Sequence, residues 1–130
     1  MTTLHRVLVV EDHHDTLRLL CRLLAHNGWI AQGASNCADA VLAAQGNTFD
    51  VAILDMHLPD GDGWDLLGRL RVIQPDLCAI AISGLSDPIG KDRATEAGFK
   101  AYVHKPFSLA KLLDQVRLCA ASPEEENVRR

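Results

Sequence analysis

The 130-residue chain is predicted to be a doubly wound α/β domain, a parallel sheet with helices on both faces, and three observations carry that expectation. Short apolar runs alternate with segments of helical period, with turn residues between them. The runs near residues 7–10, 51–54, 79–82 and 101–103 are mainly continuous, whereas a half-exposed antiparallel strand would alternate, so they are expected to be buried on both faces. Strand and helix repeat five times through connections too short for separate layers, which implies right-handed crossovers.

The elements follow in order. Val7-Leu8-Val9-Val10 is the first strand, closed by Glu11-Asp12. Leu17, Leu20, Cys21 and Leu24 keep the i, i+3, i+4, i+7 spacing of a first helix, with Asp15 as its expected N-cap and Gly28 just past its end. Ala40, Val41 and Ala44 make a small-residue second helix ending near Gly46. Val51-Ala52-Ile53-Leu54 then runs into Asp55, and Leu66, Leu67, Leu70 and Ile73 form a third helix that stops before Pro75, with Trp64 near its start. The fourth helix, between Pro88 and Gly98, carries Gly90 and reads Lys91-Asp92-Arg93-Ala94-Thr95-Glu96-Ala97, with little to bury. It is expected to be short and mobile. The fifth has Leu109, Leu112, Leu113 and Val116 on one face and Ser108 as a cap.

Composition narrows the function. Nearly half the residues are apolar, enough for one domain with a core, expected at 1–121 and followed by a charged tail or shortened linker at 122–130. The net charge of −4 and scattered Lys and Arg give no basic stripe, so direct nucleic-acid binding lacks its main electrostatic term. Cys21, Cys37, Cys78 and Cys119 form no C-x-x-C pair, and the expectation is four reduced cysteines in a cytoplasmic protein. No apolar stretch is long enough to span a bilayer, and no signal-peptide pattern opens the sequence.

The chemistry gathers at one end of the sheet. Glu11, Asp12, Asp55, Ser83 and Lys105 all close apolar runs, and ligands of open α/β sheets bind outside the carboxyl ends of the strands. With strand order 2-1-3-4-5 the tips bearing Glu11, Asp12 and Asp55 converge. Two carboxylates about 5 Å apart repel by roughly 3 kcal/mol at an effective dielectric near 20, so three of them need a cation. Hard oxygen ligands with room for water suit Mg²⁺, which would let Asp55 approach a phosphoryl group as a nucleophile. Lys105 and the Ser83 hydroxyl would hold the remaining phosphoryl oxygens.

At this point Val9-Val10-Glu11-Asp12, Ile53-Leu54-Asp55-Met56-His57-Leu58-Pro59-Asp60-Gly61-Asp62-Gly63, Ala81-Ile82-Ser83-Gly84 and Tyr102-Val103-His104-Lys105-Pro106-Phe107 together resemble the signature blocks of two-component receiver domains, over about residues 5–120. The resemblance implies a flavodoxin-like, chemotaxis-regulator-like fold of five strands and five helices. It implies a signalling phosphoacceptor rather than a classical enzyme, one that helps catalyse its own phosphorylation and dephosphorylation. Asp55 would take the phosphoryl group from a histidine kinase or a histidine phosphotransfer protein. Glu11, Asp12, Asp55 and the main-chain carbonyl of His57 would bind Mg²⁺, Ser83 and Lys105 would bind the acyl phosphate, and the Lys105-Pro106 peptide would be cis. Tyr102 would be the rotameric switch, with output through the face of helix 4, strand 5 and helix 5. His57 and Leu85, flanking the acceptor, would tune hydrolysis, and their bulk suggests slow self-dephosphorylation.

Other readings meet specific obstacles. Each acid alone is an ordinary solvated strand end or turn former, Ser83 alone an ordinary turn hydroxyl, and Tyr102 alone a packing aromatic. His13, His14, His57 and His104 fall at the same edge, but without H-x-H or H-x-x-x-H spacing they read as solvated rather than zinc-binding. A haloacid-dehalogenase-type phosphatase needs a second Asp two residues after the first, where this chain has His57. A flavin mononucleotide carrier needs a Ser-, Thr- and Gly-rich loop where this chain has Glu11-Asp12-His13-His14-Asp15. The Asp-Asp pair used for dimerisation by many DNA-binding relatives is replaced by Lys100 and Ala101, which leaves a monomer or weak dimer as the expectation. The Leu58–Gly63 turn and the charged tail lean toward the receiver of a hybrid histidine kinase over a free-standing regulator.

Overall fold

The computed structural model describes residues 5–84 and 91–120, apart from the side chain of Lys91. Strand β1 (Arg6–Val10) leads to helix α1 (His14–His26), β2 (Ile30–Ala34), α2 (Cys37–Gly46) and β3 (Val51–Asp55). Two two-residue arms, His57–Leu58 and Gly61–Asp62, pair as a small antiparallel hairpin. Then follow α3 (Gly63–Ile73), β4 (Cys78–Ser83), α4 (Lys91–Glu96), β5 (Ala101–His104) and α5 (Leu109–Ala120). All pairings of the five-stranded sheet are parallel, in the order β2-β1-β3-β4-β5, the arrangement the sequence predicts.

The continuous apolar runs are explained by two cores that share the central strands. Alternate residues point to opposite faces. Leu8, Val10, Ala52, Leu54, Ala79 and Ala81 belong to the core under α2, α3 and α4. Val7, Val9, Ile53, Ile80 and Ile82 belong to the one under α1 and α5. The first face is small on β4, where Ala79 and Ala81 stand, and long side chains such as Leu66, Leu67, Leu70 and Phe99 complete that layer. The second is bulky on the sheet itself, with Ile53, Ile80 and Ile82. Burial on both faces holds for β1, β3 and most of β4. It does not hold for β5, where Ala101 and Tyr102 are half-buried and His104 is exposed, because β5 is an edge strand.

One helix start differs in detail from expectation. The N-cap of α1 is His13, not Asp15: His13 is extended and its Nδ1 accepts from the Thr16 amide, leaving Asp15 inside the first turn. The helix ends on Asn27, and Gly28 takes φ +90°, a conformation costly for any residue with a Cβ. The fourth helix is short, six residues with Ala94 as its buried anchor. Trp64, in the first turn of α3, meets Phe99 edge-to-face at 5.6 Å and carries the Arg93 guanidinium over its ring at 5.1 Å, tying α3 to α4.

The cysteines correct the sequence reading most plainly. Cys21 and Cys37 are free thiols, but Cys78 and Cys119 form a disulfide with Cα atoms 5.8 Å apart. The first residue of β4 and the last turn of α5 meet at the end of the sheet away from the acids, a proximity that only the folded crossover creates. No helix among the described residues is long and apolar enough to cross a membrane.

Candidate functional site

Strand register explains why the acids meet. Val10 pairs with Leu54, so Glu11 and Asp55 leave neighbouring strands at the same level. Ligand oxygens of Glu11, Asp12 and Asp55 lie within 4.8 Å of one another. Glu11 is 1% exposed and Asp55 4%, while Asp12 faces solvent.

Lys105 closes the cluster. Its Nζ donates to Glu11 Oε2 at 2.9 Å and Oε1 at 3.2 Å, and to Asp55 Oδ2 at 3.0 Å. The other Asp55 oxygen accepts from the His57 amide at 3.0 Å. Burial alone would lower the Lys105 pKa, but the hydrogen bonds to Glu11 and Asp55 outweigh it and hold the ammonium above its ordinary value. Burial, aided by the neighbouring Asp55, raises the Glu11 carboxyl. The ammonium thus stands where the crowded carboxylates demand positive charge. An all-oxygen donor set with one solvent-facing acid fits a hard divalent ion that keeps waters.

Ser83 closes and His57 follows a central strand at this same end of the sheet. Ser83 ends β4, fully buried, and its hydroxyl donates to the Gly84 carbonyl at 3.1 Å. The Lys105 amide donates to the Ser83 carbonyl at 2.7 Å, and the Lys105-Pro106 peptide is cis. His57 is exposed beside Asp55. Tyr102 lies half-buried on β5 with its ring edge-to-face with His104 at 4.7 Å, and its buried hydroxyl has no partner among the described residues. Leu85 lies outside the described residues.

Gly63, Met56 and Asp60 stand in the sequence block around Asp55, but the sequence alone assigned them no supporting role. A Cβ on Gly63 would stand 2.7 Å from Met56 Sδ and 2.9 Å from the Asp55 carbonyl oxygen, so α3 starts this close to the acceptor only with glycine there. Met56, 1% exposed, fills the space beneath. Asp60 reaches from the hairpin to the start of α2, accepting from the Cys37 amide at 2.7 Å and the Ala38 amide at 3.0 Å. It thereby pins the loop after Asp55 to a second helix. A carboxylate near a helix start is a common sequence signal, but this one lies more than twenty residues from the helix it caps.

Those two backbone hydrogen bonds hold the Asp60 carboxyl below its ordinary range. A pKa depressed by folding stabilises above the unfolded value, near 3.8, and that stabilisation is lost as pH falls through the folded value. Asp60→Ala should therefore melt a few degrees below the parent at pH 7, with the gap closing in acid below the folded pKa. Melting curves across pH 2.5–7 check this, and a gap independent of pH would remove the charged cap from the account.

Comparison with known proteins agrees with this geometry. Residues 7–117 match the family model described as the response regulator receiver domain. The transcriptional regulatory protein KdpE of Mycobacterium tuberculosis is 39% identical over 113 residues, covering 85% of this chain and 49% of that protein. CusR of Escherichia coli, also a transcriptional regulatory protein, is 31% identical over 112 residues, covering 86% and 49%. The chain thus spans about half the length of these curated relatives. A CheY-like receiver domain from Methanospirillum hungatei superposes with a TM-score of 0.85 at 25% identity, covering 96% of this chain and 98% of that one. The receiver domain of Francisella response regulator 1452 gives 0.81 at 27% identity, covering 89% and 96%. Fold, strand-end acids and sequence blocks converge, and the chain belongs to the response regulator receiver domain family of two-component signalling.

Proposed function

We propose that this receiver accepts a phosphoryl group on Asp55 from a histidine kinase or histidine phosphotransfer protein, in the cytoplasm and in a Mg²⁺-dependent reaction. The observation that carries the proposal is the Lys105 ammonium held between Glu11 and Asp55, with Asp12 open to solvent at the rim. Glu11, Asp12, Asp55 and the main-chain carbonyl of His57 would hold Mg²⁺, which supplies charge neutralisation of the transferring phosphoryl group. The Asp55 carboxylate attacks phosphorus, and the donor imidazole leaves. The His57 amide already donates to one Asp55 oxygen and leaves the other to react once Lys105 turns to the phosphoryl group. Ser83 would break its bond to the Gly84 carbonyl to reach another phosphoryl oxygen.

Tyr102 is then the switch, since its orphaned hydroxyl stands to gain a partner by turning, and the face of α4, β5 and α5 carries the output. His57, together with Leu85, would set water's access to the acyl phosphate, and the chain would promote its own dephosphorylation. Residues 1–121 form the receiver unit in this reading and 122–130 a tail or linker. The curated relatives are transcriptional regulatory proteins of which the match covers about half, so a transcriptional regulator is as well supported a parent as a hybrid kinase.

Intact mass after incubation with acetyl phosphate, with and without Mg²⁺, tests the reading beside Asp55→Asn. One Mg²⁺-dependent phosphoryl adduct is expected in the parent and none in the variant. Absence of an adduct under every condition would sink phosphotransfer at Asp55 and leave a constitutive binding module.

A further inference from the structure

The four cysteines divide into two kinds. Cys21 and Cys37 are held as thiols with their pKa values raised, chiefly by burial, Cys37 to about 11, so neither forms a thiolate readily. Cys78 and Cys119 are bonded to each other, and both are only half-buried. Together with Thr48, Gln74, Pro75 and Asp76 they line a cavity of about 480 Å³. That cavity lies at the end of the sheet opposite Asp55.

The bond encloses a particular part of the chain. Its 41-residue span begins on the strand that ends in Ser83 and closes on the last turn of α5. Within it lie α4, Tyr102 and Lys105. Every element to which the proposed output belongs is inside one covalent loop. The bond also fastens α5 at its C-terminal end, while Leu112 and Val116 anchor the middle of the helix.

We propose that Cys78–Cys119 is a thiol–disulfide modification site that sets how firmly α5 is held on the sheet. A dithiol reductant attacks one sulfur as its thiolate and forms a mixed disulfide. Its second thiol then resolves that bond, so Cys78 and Cys119 gain two electrons and two protons and the reductant leaves as its own disulfide. A glutathione-type disulfide reverses the exchange. With the bond closed, α5 stays tethered to β4 even when it detaches locally; with the bond open, detachment releases far more chain entropy. The consequence for signalling rests on the output face proposed above, whereas the bond and its effect on α5 do not.

The test uses the full chain. After equilibration with oxidised glutathione, denaturation and maleimide labelling should modify two thiols, Cys21 and Cys37, and labelling after a phosphine reductant should modify four. Native-state hydrogen exchange over residues 109–120 should run roughly tenfold faster in the reduced parent than in the oxidised one. Cys78→Ala/Cys119→Ala should show the fast rate in both conditions, and the reduced parent supplies the comparison without any substitution. Four labelled thiols after oxidation, or equal exchange in the two states, would overturn the proposal. Acetyl phosphate labelling of both states separates this outcome from the fate of Asp55. An adduct absent in both states strikes the phosphoacceptor reading and leaves the thiol result standing.

Discussion

Reduction of the Cys78–Cys119 bond is expected to lower the melting temperature by on the order of 15 °C. Closing a loop of this length, 41 residues apart in sequence, removes unfolded-state entropy worth about 4 kcal/mol at 25 °C. A domain of this size loses a few degrees per kcal/mol. The bond joins elements already packed together: Cys119 lies against the core under α1 and α5, and Cys78 pairs in register with Val51 of β3. Removing the link therefore changes the unfolded chain more than the folded one. Circular dichroism melts with and without a phosphine reductant check this, with Cys78→Ala/Cys119→Ala as a control that should ignore the reductant. Melting temperatures agreeing within about 2 °C would show that the cross-link contributes little at this loop length.

The sequence made the fold legible where one-dimensional patterns map directly onto burial. Val7–Val10 and Val51–Leu54 are continuous because both faces of those strands are covered, and each run ends in the acid that reaches the site. The position of Lys105 after β5 was equally readable, since doubly wound sheets gather such residues at one edge. What stayed hidden depends on side chains that cross long stretches of sequence. Cys78 and Cys119 carry no motif, and only the packing of α5 against β4 brings them together. Asp60 caps a helix that precedes it by more than twenty residues. His13 displaced Asp15 as the cap of α1 because an imidazole nitrogen happened to reach the Thr16 amide, a role that cap preferences rarely give to histidine. Ser83 and Lys105 close their strands at the end where the acids lie, and there Ser83 bonds to its neighbour's carbonyl and Lys105 neutralises carboxylates. Those partners depend on the charge state of the site, which sequence does not encode.

Lys105→Met should destabilise the protein by roughly 2 kcal/mol in the absence of divalent ions. Removing one partner of a buried ion pair costs about 3–5 kcal/mol, and because the Lys105 side chain is 32% exposed solvent screening lowers that figure. The loss arises from what remains: Glu11 and Asp55, both nearly inaccessible, face each other with no cation between them. Their repulsion has two routes of relief, and each gives a measurable signature. Protonation is the first. The Glu11 carboxyl is already raised by burial and by Asp55, and loss of the ammonium raises it further. A carboxyl whose folded pKa exceeds its unfolded value of 4.5 carries a penalty above the folded pKa that fades as pH falls toward the unfolded one. The deficit in urea unfolding should thus be largest at pH 7 and smaller near pH 5. Binding of a hard divalent ion is the second, since an ion that binds only the folded state stabilises it by mass action. Millimolar Mg²⁺ should restore more stability to Lys105→Met than to the parent, whose ammonium competes for the same oxygens. A deficit equal at both pH values and indifferent to Mg²⁺ would mean that Lys105 contributes through packing of its aliphatic stem, and that the acids do not act as one charged site.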